Sequence, residues 1–197
     1  MFISNWKRDI FTVPNLLSLL RLAVLPAYVR IYLTATERSQ YLLAGTIMAL
    51  SCLTDFLDGW IARHFDQITD LGKILDPLAD KVTQFALTFC LTLRHPVLMP
   101  VLVLFLIKEA FQVVLGILFL SKGQMLDGAL PEGKICTAFL FVTLTVLVLF
   151  PQIHPAIVNA IAAADIVFLS VSLLGYNRAY LGKSARIQDL KKYGGSK

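Results

Sequence analysis

Residues 97–120 read Val97-Leu-Met-Pro100-Val-Leu-Val-Leu-Phe105-Leu-Ile-Lys108-Glu109-Ala-Phe-Gln-Val-Val-Leu115-Gly-Ile-Leu-Phe-Leu120, with Lys108 and Glu109 the only charges in the run. A helix rising about 1.5 Å per residue would carry such a segment across a hydrocarbon layer of about 30 Å. Lipid offers no hydrogen bonds to a backbone, and a helix satisfies its own within one segment. The stretch therefore predicts a transmembrane helix. Five further stretches share its character, at about 14–36, 41–64, 74–94, 134–150 and 155–180. Short breaks separate them, among them Thr36-Glu37-Arg38-Ser39-Gln40, Arg94-His95-Pro96 and Pro151 to Pro155. The expected fold class is all-α, an integral membrane bundle of six transmembrane helices forming one domain over residues 1–197. Phe2, Ile3, Trp6, Ile10 and Phe11, interleaved with charge, suggest a short N-terminal interfacial helix ahead of the first span. The same residues lack the apolar core and small-residue cleavage site of a signal peptide.

Composition agrees. Of 197 residues, 57% are hydrophobic and 16% charged, whereas a soluble domain carries about a quarter charged. Six spans leave room only for short loops and tails, which excludes a separate soluble or nucleic-acid-binding domain. The net charge of +5 follows from topology. Lys7, Arg8, Arg63, Lys73, Lys122, Lys134 and the tail residues Arg178, Lys183, Arg186, Lys191, Lys192 and Lys197 fall on one side of a six-span chain. Arg38 and Arg94 fall on the other, with Arg30 near that end of the first span. The positive-inside rule then puts both termini and the loops at 64–73 and 121–134 in the cytoplasm. The basic excess is read as orientation and attraction to anionic membrane lipid, with no nucleic acid among the partners. Cys52, Cys90 and Cys136 all lie in apolar segments without metal-ligand spacing and read as packing residues.

Acidic residues are concentrated where a membrane protein can least accommodate them. Six of thirteen lie between positions 55 and 80. Asp66 and Asp70 belong to a polar break and read as solvated. Asp55, Asp58, Asp76 and Asp80 stand near the cytoplasmic ends of spans two and three, and an ionisable group at membrane depth marks a functional site by default. Asp55 and Asp58 are three apart and Asp76 and Asp80 four apart, so each pair shares a helix face. Antiparallel neighbouring spans would bring the pairs together. Four carboxylates in one place repel one another unless they protonate or bind cations, and hard oxygen donors of this number suit one or two divalent ions. Gly59 and Ala62, one and two turns beyond Asp55, and Gly72, one turn before Asp76, leave a cleft for a ligand or allow close helix packing. Pro77 fits the first turn of a helix or a kink that tilts the second pair inward.

The run Asp55-Phe-Leu-Asp58-Gly59-Trp-Ile-Ala62-Arg63, eight residues, Gly72, three residues, Asp76, three residues, Asp80 resembles the signature of the CDP-alcohol phosphatidyltransferase family at every fixed position. The resemblance implies an enzyme that moves a phosphatidyl group from CDP-diacylglycerol to an alcohol and releases CMP. It implies two divalent cations, Mg²⁺ or Mn²⁺, on Asp55, Asp58, Asp76 and Asp80, with Asp80 as general base and no covalent enzyme intermediate. It also implies a nucleotide pocket formed by Asp55, Asp58, Gly59, Ala62, Arg63 and Gly72, an active site on the cytoplasmic face, and a homodimer.

The run from Gly72 to Lys81, with Pro14-Asn15-Leu-Leu-Ser18 and Arg21 in span one, looks most like the phosphatidylglycerophosphate synthase branch, whose acceptor is glycerol 3-phosphate. Lys73, Lys81 and Lys108 are the cations expected to meet the acceptor's phosphate, although Lys108 beside Glu109 also suits plain charge compensation. That branch usually shows Arg-Glu where Lys108-Glu109 stands and Gly-Lys-x-Lys-Thr where Gly133-Lys134-Ile135-Cys136-Thr137 stands. CMP-forming cardiolipin synthase, with phosphatidylglycerol as acceptor, is the rival within the family. A cation transporter using its intramembrane aspartates is the rival of another class, though a carrier site is expected near the midplane rather than at one surface. Asn15 and Arg21 are placed on the nucleotide or acceptor side, and Asn159 and Asp165 in span six read as structural hydrogen-bonding groups.

Overall fold

A computed structural model of the protein describes residues 12–64, 69, 71–121 and 131–193, with side chains left out at 52, 55–64, 73, 74, 119–121, 131 and 181–193. The N-terminal segment expected to form an interfacial helix lies outside the described residues. Among the described residues there is no strand. The helices are α1 (Val13–Thr34), α2 (Arg38–His64), α3 (Gly72–Arg94), α4 (Met99–Ser121), α5 (Pro131–Leu149) and α6 (Pro155–Tyr193), with a 3₁₀ turn at Pro96–Leu98 ahead of α4.

Local chemistry explains these boundaries. Pro14 sits in the first turn of α1, where its missing N–H costs nothing. Between α1 and α2, Gln40 reaches back so that its Oε1 accepts from the backbone N–H of Thr36 at 2.7 Å and of Glu37 at 3.2 Å, the reciprocal half of a capping box. Thr69 precedes α3, its Oγ1 accepting from the Gly72 N–H at 3.0 Å. At the other end His95 closes the helix by donating its N–H to the Leu91 carbonyl at 2.7 Å, and Pro96 prevents continuation. Pro155 opens α6. Because α3 begins at Gly72, Pro77 falls beyond the first turn and deprives the Lys73 carbonyl of its intrahelical donor.

Among the described residues four segments are long and apolar enough to cross a membrane: Val13–Thr34, Pro96–Leu118, Glu132–Leu149 and Pro155–Tyr180. The helices outside that set, α2 and α3, carry the four aspartates. The distribution of side chains is inverted relative to a water-soluble protein. Exposed positions include Leu16, Leu20, Val103, Ile107, Val114, Ile117, Val142 and Val171, whereas Asn15, Ser18, Arg21, Gln84, Thr88, Lys108, Asp165 and Ser172 are buried. That is the pattern expected when the solvent is lipid and polar groups must find partners inside.

The chain forms two compact units, residues 1–96 with 144–154 and residues 97–143 with 155–197. In the first, α1 packs against both α2 and α3. Away from the aspartates, Tyr32 meets Tyr41 edge-to-face with ring centroids 5.5 Å apart, and the Arg94 guanidinium lies 4.1 Å from the Tyr41 ring centroid. Such aromatic and basic clusters suit a membrane–water boundary. In the second unit α4 packs against α6. Phe139 stacks on Phe168 at 4.2 Å between centroids, and Gly133 makes room for Tyr176, whose hydroxyl would lie 2.5 Å from a Cβ at that position. Among the described residues Cys90 and Cys136 are buried thiols outside any disulfide, as packing residues should be.

Candidate active site

The site is built on the buried face of α1. Asn15, Ser18 and Arg21 recur at three-residue spacing and continue into Leu25, Tyr28 and Tyr32, so one stripe of the helix is inward-facing throughout. Its first turns are polar. Asn15 donates from Nδ2 to Thr69 Oγ1 at 2.9 Å, Ser18 donates from Oγ to Asp76 Oδ1 at 2.6 Å, and Arg21 donates from Nη1 to Asp80 Oδ1 at 2.6 Å. Positions 15, 18 and 21 thus meet 69, 76 and 80 in ascending order. α1 and α3 therefore run parallel here, as the first and third elements of an up-down-up chain must.

Asp76 and Asp80 are brought to one face of α3 by their four-residue spacing, as the sequence requires. Their electrostatic settings differ. Asp76 faces a neutral hydroxyl, Ser18, whose second acceptor in reach, the Pro14 carbonyl, is a longer 3.3 Å away. Asp80 faces a full charge, and the ion pair is asymmetric: the Arg21 side chain is 3% exposed and that of Asp80 39%. A guanidinium withdrawn from solvent demands a partner, and Asp80 supplies one while its own carboxylate still reaches the surface.

Gly72 lies against the same stripe. A Cβ there would stand 2.6 Å from Asn15 Oδ1 and 3.1 Å from Thr69 Oγ1. The Asn15 amide of α1 fills the space that a side chain at position 72 would need.

Asp55, Asp58, Gly59, Ala62 and Arg63 occupy the last turns of α2, and Lys73 the first turn of α3. Their side chains lie outside the described residues. Lys81 is half-buried on α3 next to Asp80. Lys108 belongs to the second unit, where it is buried and its Nζ lies 2.7 Å from Glu109 Oε1. The charge compensation expected of that pair is therefore present. Asp165 accepts from Thr143 Oγ1 at 2.9 Å, which bears out its structural reading, whereas Asn159 is exposed on α6. Among the described residues no three His, Cys, Asp or Glu side chains converge as a metal site. The described half of the aspartate set nevertheless suits a hard cation, with two carboxylates on one helix face, each anchored through Oδ1.

Comparison with known proteins decides the family. A family model described as CDP-alcohol phosphatidyltransferase matches residues 11–172. The chain belongs to that family.

A CDP-diacylglycerol–glycerol-3-phosphate 3-phosphatidyltransferase of Aquifex aeolicus is 38% identical over 133 residues, covering 67% of this chain and 72% of the relative. A cardiolipin synthase (CMP-forming)/mitochondrial hydrolase fusion protein of Schizosaccharomyces pombe is 44% identical over 92 residues, covering 45% of this chain and 14% of the relative. A cardiolipin synthase (CMP-forming) of Streptomyces coelicolor is 34% identical over 114 residues, covering 55% of this chain and 52% of the relative. Family membership, with four apolar helices, makes this an integral membrane enzyme.

The contribution of α1 was only partly readable from sequence. In the sequence Asn15 and Arg21 stand as polar residues in an apolar span, placed on the nucleotide or acceptor side but with no protein partner specified. Their spacing with Ser18 was the available signal, since three polar residues on one stripe of a lipid-embedded helix must face another element.

Proposed function

We propose that this enzyme transfers the phosphatidyl group of CDP-diacylglycerol to glycerol 3-phosphate, giving phosphatidylglycerophosphate and CMP. The observation that supports it most is the placement of Asp76 and Asp80 on one face of α3, each held through Oδ1, within a chain matched by the family model over most of its length. Asp80 takes the proton of the acceptor hydroxyl as its oxygen attacks phosphorus and the bond to CMP breaks, without a covalent enzyme intermediate. Two divalent cations, Mg²⁺ or Mn²⁺, held by Asp55, Asp58, Asp76 and Asp80, would supply neutralisation of the pyrophosphate and of the charge left on CMP. Gly59, Ala62 and Gly72 keep the nucleotide side free of bulk, and Arg63 meets phosphate oxygens with its planar fork.

Lys73 and Lys81 receive the phosphate of the acceptor. In this reading α2 and α3 also cross the bilayer, making six spans of one domain, with the site and both termini cytoplasmic and the acyl chains left in lipid. The enzyme works as a homodimer. Transfer to phosphatidylglycerol is the second reading, favoured by the lysine and cysteine at positions 108 and 136 and by relatives named cardiolipin synthase. Purified enzyme given CDP-diacylglycerol with glycerol 3-phosphate, phosphatidylglycerol, serine or inositol phosphate in parallel should form phosphatidylglycerophosphate. Cardiolipin as the sole product would favour the second reading, and product only from serine or inositol phosphate would reject both.

A further inference from the structure

The second carboxylate pair is held by a helix that contributes nothing to the family signature. α1 touches the start of α3 at three successive levels: Asn15 beside Thr69 and Gly72, Ser18 on Asp76, and Arg21 on Asp80. Both side chains that bind the carboxylates are fixed in place. Ser18 is fully buried and the Arg21 side chain is 3% exposed, so neither can turn to water. Their bonds, at 2.6 Å, lie in the short, charge-assisted range.

We infer that Ser18 and Arg21 are positioning residues that fix Asp76 and Asp80 for cation binding and transfer, and that Gly72 is glycine because Asn15 of α1 occupies the space of a side chain. The roles of the two aspartates rest on the function proposed above. Partners that hold a ligating or reacting carboxylate from behind set its rotamer and leave its outer oxygen presented. Asp80 most needs this, because a carboxylate 39% exposed on a helix surface has several solvated rotamers available. Gly72 enters through distance: with Asn15 Oδ1 at 2.6 Å from a Cβ, and Asn15 tied through Nδ2 to Thr69, a side chain would separate α1 from α3 one turn before Asp76. That would pull both anchors off their carboxylates.

The test uses the full chain in detergent, with Mn²⁺ binding measured by spin resonance alongside steady-state transfer. Arg21→Gln should lower kcat and weaken Mn²⁺ binding by about 10- to 100-fold, as loss of an outer-shell partner does. At saturating Mn²⁺ its KM for CDP-diacylglycerol should stay within about twofold, since the cations that meet the pyrophosphate are then bound in variant and wild type alike. Arg21→Lys should recover part of both losses, because it restores charge without the fork. Ser18→Ala, which disturbs no charge, should weaken Mn²⁺ binding in the same direction and covers the case that Arg21→Gln does not fold. Gly72→Ala should weaken Mn²⁺ binding, and Asn15→Ser added to it should restore much of the affinity.

Wild-type Mn²⁺ affinity in Arg21→Gln and Ser18→Ala would overturn the inference. So would an Arg21→Gln loss matched by an equal fall in melting temperature and unrelieved by lysine, or a Gly72→Ala defect that Asn15→Ser leaves unchanged. If the wild type forms no phosphatidyl product from any acceptor, the transferase reading fails, while the Mn²⁺ affinities still decide whether α1 holds the aspartates.

Discussion

Asp80 illustrates how a single position is constrained from two directions. The signature fixes it at four residues from Asp76, and the fold fixes its carboxylate against Arg21 at 2.6 Å. If it is the general base, Asp80→Asn should reduce transfer by about 1,000-fold, within the range that acid–base groups contribute. The amide oxygen can still accept from Arg21, so the variant should remain folded and should still bind CDP-diacylglycerol in calorimetry. Near-normal turnover would remove Asp80 from that role. Residues of this kind were legible in the sequence because a carboxylate at membrane depth is costly and therefore conspicuous. Ser18 was less legible, because a serine hydroxyl in a helix can satisfy itself on the carbonyl four residues back. Its Oγ indeed has the Pro14 carbonyl 3.3 Å away as well as Asp76. Lys108 is intermediate: the adjacent Glu109 predicted the ion pair, while a role towards an acceptor is a property of a substrate complex.

At the level of elements, apolar runs located the helices well and their ends less well. Hydropathy places the first span at about 14–36 and the helix is Val13–Thr34; it places the last at about 155–180 and the helix continues to Tyr193. Hydropathy reports where lipid ends, whereas helix ends depend on caps, and the polar sequence after residue 180 has no proline to stop it. The parallel register of α1 and α3 could not be read from either segment alone, since it depends on three pairings across the break at 64–72. In the second unit, α5 and α6 are joined by Thr143 and Asp165, the latter 1% exposed. Hydrogen bonds between membrane helices average about 0.6 kcal/mol and reach about 1.7 kcal/mol. Thr143→Val should therefore lower unfolding free energy in detergent by an amount in that interval, towards its upper end because a buried carboxyl is left without this donor. No change would mean that Asp165 is satisfied elsewhere.

For the molecule as a whole, an inverted arrangement of side chains links composition to chemistry. Apolar residues face outward, and among the described buried polar groups Thr143 pairs with Asp165 between helices, Ser18 and Arg21 bind Asp76 and Asp80, and Thr88 and Thr92 bond carbonyls of their own helix. The proposed reaction on a lipid-linked nucleotide needs that combination, with acyl chains staying in the bilayer while the pyrophosphate meets carboxylates. The family match identifies the chemistry, and the fold adds α1 as the element that binds Asp76 and Asp80, half of the proposed donor set. The central claim, that these aspartates perform cation-dependent phosphatidyl transfer, is tested most directly by CMP release from CDP-diacylglycerol and glycerol 3-phosphate with purified enzyme. Release should stop on chelation and return with added Mg²⁺ or Mn²⁺. CMP release undiminished after complete removal of divalent ions would contradict it.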